Sequence, residues 1–375
     1  MTGTAIFEEQ HAALSRAGRL RRLEPRAGRD FSSNDYLGLA GDPEIGRAVA
    51  EAITLGVPVG SGGSRLLRGN APEHEALEEK AARFFGSETA LFFANGFAAN
   101  MALFATLPQK GDLIVADALV HASAHEGLRR TRADHVFAAH NDVDNFAHAI
   151  AGWRTAGGRG RAWIAFETLY SMDGDIAPVD DLAALARTED AWLLIDEAHA
   201  TGVFGPRGRG LAAHLEGQEN VISLHTCGKA LGVEGALVSA PRIIRDFLVN
   251  RARSFIFSTA PSPLMAVAVG AALDRVAEGD DLRVRLNRLR AHAGDVLAGR
   301  FGVTASVSQI IPLILGDERR TMAAAASLRK AGFDVRGIRP PTVPEGTSRL
   351  RISLTLNVGA ADVDALADAL APVLG

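Results

Sequence analysis

Short apolar runs alternate with longer amphipathic stretches through the middle of this chain. Residues 90–93, 113–116, 162–166, 192–195 and 236–239 are almost wholly apolar, and runs of that length predict strands buried on both faces. Helical spacing fills the gaps between them. Residues 73–85 place Leu77, Ala81, Phe84 and Phe85 on one face. Asp42 before Pro43 predicts a helix to about Gly56, Asn95, Gly96 and Phe97 open another, and a further helix starts near Val179. Strands alternating with helices over roughly 150 residues imply parallel βαβ units.

Either side of that region the pattern changes. Residues up to about Asp30 are rich in Arg and Ala and predict a helix ending before Pro25, and residues 31–39 read as a polar, glycine-bearing turn. Glycine and serine crowd the loop 56–69, whose GSGGSR string has Arg65 where a dinucleotide fingerprint needs its third glycine. After Leu264 a helical pattern runs to about Arg300 with a break near Gly279. Strand-like pieces at 310–315, 334–338 and 349–354 then alternate with helices at 320–331 and 361–373. The organisation predicted is an arm (1–40), a large domain (41–265) and a smaller α/β domain (266–375), with no internal repeat.

Composition narrows the partners. At 375 residues, 47% apolar and 22% charged, the chain is long enough for a sizeable core. A net charge of −4 gives no long-range attraction for nucleic acid or an anionic membrane. One local basic run, Arg16, Arg19, Arg21, Arg22, Arg26 and Arg29, reads as a solvated helix face or a grip on an anionic substrate. A single cysteine, Cys227, makes no intrachain disulfide and reads as a packing residue. The first residues lack a basic-then-apolar leader. The uncharged stretch 254–273 carries Pro261 and Pro263, so it reads as a buried strand and loop before a core helix rather than a membrane span. The expectation is a cytoplasmic protein.

Candidate chemistry collects just beyond the apolar runs, where open α/β sheets bind ligands. The run 192–195 ends in Asp196 and, three residues on, His199; downstream lies Lys229 in the string Thr226, Cys227, Gly228, Lys229. As a phosphate loop this fails, because Ser223 and Ala230 stand where a glycine and a hydroxyl are required. A solvated surface lysine remains open. So does an amine that forms a Schiff base with pyridoxal phosphate, which needs an Asp against the pyridinium nitrogen. Taken alone, Asn34 and Asp35 read equally as turn formers, His121 as a helix-start histidine, and Thr342 and Arg351 as loop or strand-edge residues. Asp173 and Asp175 lack further spaced oxygen ligands, so a turn is expected there and no metal.

Six motifs in order extend that reading. GSGGSR at 60–65, EALEE at 75–79, NGFAAN at 95–100, DEAHATG at 196–202, TCGK at 226–229 and RPPTVP at 339–344 make the chain, from about Leu20 onward, similar to the α-oxoamine synthases. These are fold-type I pyridoxal-phosphate enzymes. DEAHATG departs from the commoner DDAHGTG but keeps its Asp and His.

The resemblance implies a large domain with a mostly parallel seven-stranded sheet sandwiched by helices, and a smaller C-terminal α/β domain. It implies that Lys229 carries pyridoxal phosphate and moves the Cα proton, with Asp196 on the ring nitrogen, His121 stacked on the ring, and His199 and Ser171 near the 3′-oxygen. By the same resemblance Thr226 and the Gly96 and Phe97 amides hold the phosphate, joined by Thr259 from a neighbouring subunit, so that the site is shared in a homodimer. Asn34 and Arg351 would bind the amino-acid carboxylate, Thr342 would contact substrate, and Arg21 would pair with the distal carboxylate of the acyl group. The reaction implied is decarboxylative condensation of an amino acid with an acyl thioester; RPPTVP favours L-alanine and a pimeloyl thioester. Sister activities on glycine or serine, and a catalytically silent nucleotide- or coenzyme A-binding scaffold, are the alternatives.

Overall fold

The computed structural model describes residues 3–304 and 306–374. In chain order the strands are β1 (Arg29–Asp30), β2 (Thr89–Phe93), β3 (Leu113–Asp117), β4 (Asp134–Ala138), β5 (Ala162–Glu167), β6 (Trp192–Asp196), β7 (Val221–Thr226), β8 (Ala236–Ala240), β9 (Ile310–Gly316), β10 (Phe333–Asp334), β11 (Arg336–Ile338) and β12 (Ser348–Ser353). The chain divides into two compact units, Asn34–Arg288 in one, the residues up to Ser33 and from Leu289 on in the other. The expected boundary near residue 265 falls instead at 288, because helix Pro263–Ala277 packs on helices Pro43–Thr54 and Pro72–Phe85.

The unit 34–288 is built on a seven-stranded sheet of order β2-β8-β7-β6-β5-β3-β4. Strands β4, β3, β5, β6 and β7 are parallel, and β8 runs antiparallel between β7 and β2. Alternation along each strand splits the core in two. Ile114, Ala116, Trp163, Ala165 and Leu194 share one hydrophobic cluster with residues of helices Gly96–Thr106, Ala122–Leu128 and Arg242–Arg251. Leu113, Val115, Ala162, Ile164, Phe166, Leu193 and Ile195 belong to the other, with helices Val143–Thr155 and Val179–Thr188. Burying each such Leu, Ile or Val contributes roughly 1.5–3 kcal/mol. Burial on both faces is why these strands are near-continuous apolar runs.

Two strands of this sheet have no clear signature in the pattern. Strand β4 is at the edge with four of its five residues exposed, and β7 carries buried Ser223, His225 and Thr226 among its apolar residues. The strand expected within 254–273 is instead the short helix Arg253–Ile256, with helix Pro263–Ala277 following as expected.

In the other unit β9, β12 and β11 form an antiparallel sheet, and β1 pairs in parallel with β10. The single strand expected at 334–338 is two, since Val335 separates β10 and β11 into different sheets. The arm helix is Ala5–Arg16, well short of Pro25. No helix among the described residues is long and apolar enough to cross a membrane.

Candidate active site

The carboxyl ends of four of the five parallel strands carry a polar residue: Asp117 ends β3, Glu167 ends β5, Asp196 ends β6 and Thr226 ends β7. Pleating then sorts them. Asp196 has the parity of Leu194, so it faces helix Gly96–Thr106, where Asn100 donates to its Oδ2 at 2.7 Å. The main-chain N–H of Ala198 donates to Oδ1 at 2.9 Å. Both carboxylate oxygens are thus held, which fixes the direction of the group.

Asn100 links this carboxylate to His121. Its Nδ2 also donates to Ser123 Oγ at 3.0 Å, and that hydroxyl lies 2.8 Å from His121 Nδ1. The Ser123 N–H points at the same nitrogen at 3.2 Å, so Nδ1 is the acceptor and a neutral ring carries its proton on Nε2. The His121 pKa is lowered, first by desolvation; Asp196 raises it, and the charges of Lys229 and His125 lower it further. Asn100, His121, Glu167 and Asp196 line one cleft floored by Leu103, Phe104, Phe166 and Leu194.

His199 lies one turn beyond Asp196, and its Nδ1 is 2.7 Å from the Tyr36 hydroxyl, which is 3.0 Å from Asn34 Oδ1. Lys229 follows β7 in a tight loop, held by the Cys227 N–H on Gly235 O and the Gly232 N–H on Lys229 O, both at 2.9 Å. Cys227 itself is fully buried and its thiol pKa is raised by that burial, which makes it a packing residue.

Helix Gly96–Thr106 opens toward Thr226. Asn95 caps it by accepting from Ala98 N at 2.8 Å, which leaves the Gly96 and Phe97 amides at the open first turn. The Gly96 Cα side of the helix start lies against Thr226, a Cβ there standing 3.4 Å from its Oγ1, so the hydroxyl and the open first-turn amides share one anion-binding corner.

Ser171 sits in the turn after β5, closed by Tyr170 N on Asp175 O at 3.0 Å and Gly174 N on Tyr170 O at 2.9 Å. His140 secures that turn on the sheet's other face, with Nδ1 2.9 Å from Asp117 Oδ1 and Nε2 2.7 Å from Asp175 Oδ2. Burial works against its charge, but the two carboxylates outweigh burial and lift the imidazole pKa to about 10. Thr259 is exposed beyond helix Arg253–Ile256. Arg21, Thr342 and Arg351 lie in the other unit. There Thr342 is exposed, while Arg351 on β12 is buried with Nη1 2.6 Å from Ser353 Oγ.

Three participants escaped the sequence reading. Asn100 stood inside a quoted motif and Tyr36 inside a quoted turn, without roles; Glu167 was only the residue that ended a strand. The one available signal was spacing, since Asn100 sits one helical turn after Gly96 and so on the same face.

Residues 28–370 match the family described as aminotransferase class I and II. An 8-amino-7-oxononanoate synthase from Anaeromyxobacter dehalogenans is 43% identical over 378 residues, covering 96% of this chain and 94% of that protein. Among solved structures, a serine palmitoyltransferase of Sphingomonas wittichii aligns with a TM-score of 0.87 at 26% identity, over 99% of this chain and 98% of that one. An 8-amino-7-oxononanoate synthase from Francisella tularensis gives 0.77 at 27% identity, over 92% and 97%. The chain belongs to the class I and II aminotransferase family of fold-type I pyridoxal-phosphate enzymes and, within it, to the 8-amino-7-oxononanoate synthases. It is a pyridoxal-phosphate-dependent acyltransferase.

The residues present suit that cofactor. An aromatic nitrogen that must stay protonated needs a fixed anion, which Asp196 would supply, and a phosphate needs amides and a hydroxyl at a helix start, which Gly96, Phe97 and Thr226 would supply.

Proposed function

We propose that this chain condenses L-alanine with a pimeloyl thioester to give 8-amino-7-oxononanoate, carbon dioxide and the free thiol carrier. The observation that carries this reading is the Asp196–Asn100–Ser123–His121 chain beside Lys229 in a member of the synthase family. When bound, pyridoxal phosphate supplies an electron sink for a carbanion at the amino-acid Cα. Lys229 holds the cofactor through its ε-amino group, then takes the Cα proton and later returns one to the product. Such positioned proton transfer contributes about 10²–10⁴ in rate.

Asp196 keeps the ring nitrogen protonated, and Asn100 with the Ala198 amide keeps Asp196 in place. His121 would contact the ring, and His199, steadied by Tyr36, would hold the 3′-oxygen together with Ser171. Thr226 and the first-turn amides hold the phosphate, and Thr259 reaches the phosphate of the neighbouring protomer in a cytoplasmic homodimer; its exposure on a single chain agrees with that role. Arg351 clamps the amino-acid carboxylate, for which a guanidinium fork is matched. Asn34 and Thr342 line the substrate space, and Arg21 pairs with the far carboxylate of the acyl chain.

The likeness to a serine palmitoyltransferase keeps serine as a second amino-acid candidate. Assay of alanine, glycine and serine against pimeloyl, acetyl, succinyl and palmitoyl thioesters separates the readings. Release of carbon dioxide with alanine and the pimeloyl thioester alone is the expected outcome. Turnover confined to another pair would replace the substrate assignment while leaving the cofactor site standing.

A further inference from the structure

Asp196 has a second carboxyl beside it that the reaction above does not use. Glu167 is its register partner on the adjacent parallel strand, so both side chains leave the sheet on the same face and line the same cleft. Glu167 is 3% exposed. Two carboxylates at one buried site do not both ionise readily, and hydrogen-bond donors decide which of them keeps the charge.

The donors are unequally shared. Asp196 receives one on each oxygen. Glu167 has the main-chain N–H of His121 directed at its carboxyl, while its Oε1 is buried without a partner among the described residues. A charged carboxyl with a partnerless buried oxygen is costly, and the neutral form lowers that desolvation cost.

We propose that Glu167 is the proton-bearing carboxyl of the pocket, a neutral positioning residue that tethers the His121 main chain and leaves Asp196 as the anion of this cleft. Other charges around it agree. Burial and the negative charges of Asp196 and Asp117 push the Glu167 pKa well above its ordinary 4.5, against Lys229 and the His121 amide, which lower it. Asp117 is itself engaged by His140, and Tyr170 is a neutral phenol whose pKa burial raises further. An ionised Glu167 would place a second negative charge within reach of Lys229. Only this last consequence rests on the Lys229 reading; the protonation state itself does not.

Infrared difference spectra of the full-length enzyme with its cofactor, wild type against Glu167→Gln, test the proposal at neutral pH. The expected result is a protonated-carboxyl C=O band present in wild type and absent from the variant. Thermal unfolding gives a second readout. A carboxyl whose folded pKa is raised contributes its stability in full below the unfolded value and loses it as pH rises through the folded value. Glu167→Gln should therefore match wild type at acid pH and exceed it in Tm by several degrees toward about pH 8. Absence of the band, with parallel Tm profiles, overturns the proposal. Should Glu167→Gln fail to fold, ¹³C-glutamate labelling of Glu197→Gln answers the same question, because Glu197 is the other buried acid with a raised pKa. A labelled band that persists there supports Glu167, and its loss assigns the proton to Glu197 and contradicts the proposal.

Discussion

At the carboxyl ends of the parallel strands, the two faces of one sheet carry similar side chains with opposite duties. On the face of helix Gly96–Thr106, Glu167 and Asp196 look into the cleft with His121. On the other face, Glu197 turns away from the cleft and is consumed by the scaffold. It accepts from Thr168 Oγ1 at 2.7 Å and Leu211 N at 3.1 Å, and the Ala212 N–H donates to its Oε1 at 2.5 Å. His140 likewise binds Asp117 and Asp175 on that face. Asp196 and Glu197 are adjacent in the chain, yet a period of two sends one into the cleft and the other into the packing.

That contrast is open to direct attack. Asp196→Asn keeps the shape and the Ala198 contact but removes the charge proposed to keep a ring nitrogen protonated. Turnover should fall about 10²–10³-fold, the scale of a lost preorganised electrostatic contact, with Tm almost unchanged. Steady-state kinetics beside calorimetry reads both, and a large Tm loss without a rate loss would reverse the assignment. Glu197→Ala should do the opposite. It strands two amides and a hydroxyl in a buried loop, so a loss of about 3 kcal/mol is expected, measured by denaturant unfolding. Folded Glu197→Ala should still bind cofactor, and a colourless but stable variant would place Glu197 in the site after all.

Much of this fold was legible because burial on both faces writes itself as apolar runs. Strands β2, β3, β5, β6 and β8 were found that way, each within a residue or so of its ends. Strand β4 was not, because an exposed edge strand such as Asp134–Ala138 has no apolar run to show. Strand β7 was not, because His225 is buried by pairing with Glu216 at 2.9 Å and Thr201 at 2.9 Å, which are tertiary contacts. The site divides in the same way. Asp196, His199 and Lys229 stood out by spacing and by resemblance, while Asn100, Tyr36 and Glu167 act through partners 96, 163 and, in the cleft, 29 positions along the chain. Local pattern carries no record of such pairings. Helix Arg253–Ile256 is the converse case, where uncharged residues suggested a strand but the Phe255 and Ile256 amides donate back to the Ala252 carbonyl and close a helical turn.

Lys229 bears the central claim, and chemical trapping tests it most directly. The purified enzyme should absorb in the visible, lose that band on borohydride reduction, and yield on digestion one peptide carrying a pyridoxyl group on Lys229. A pyridoxyl group fixed on Lys80, Lys110 or Lys330 instead, or full turnover in Lys229→Ala, would contradict the account.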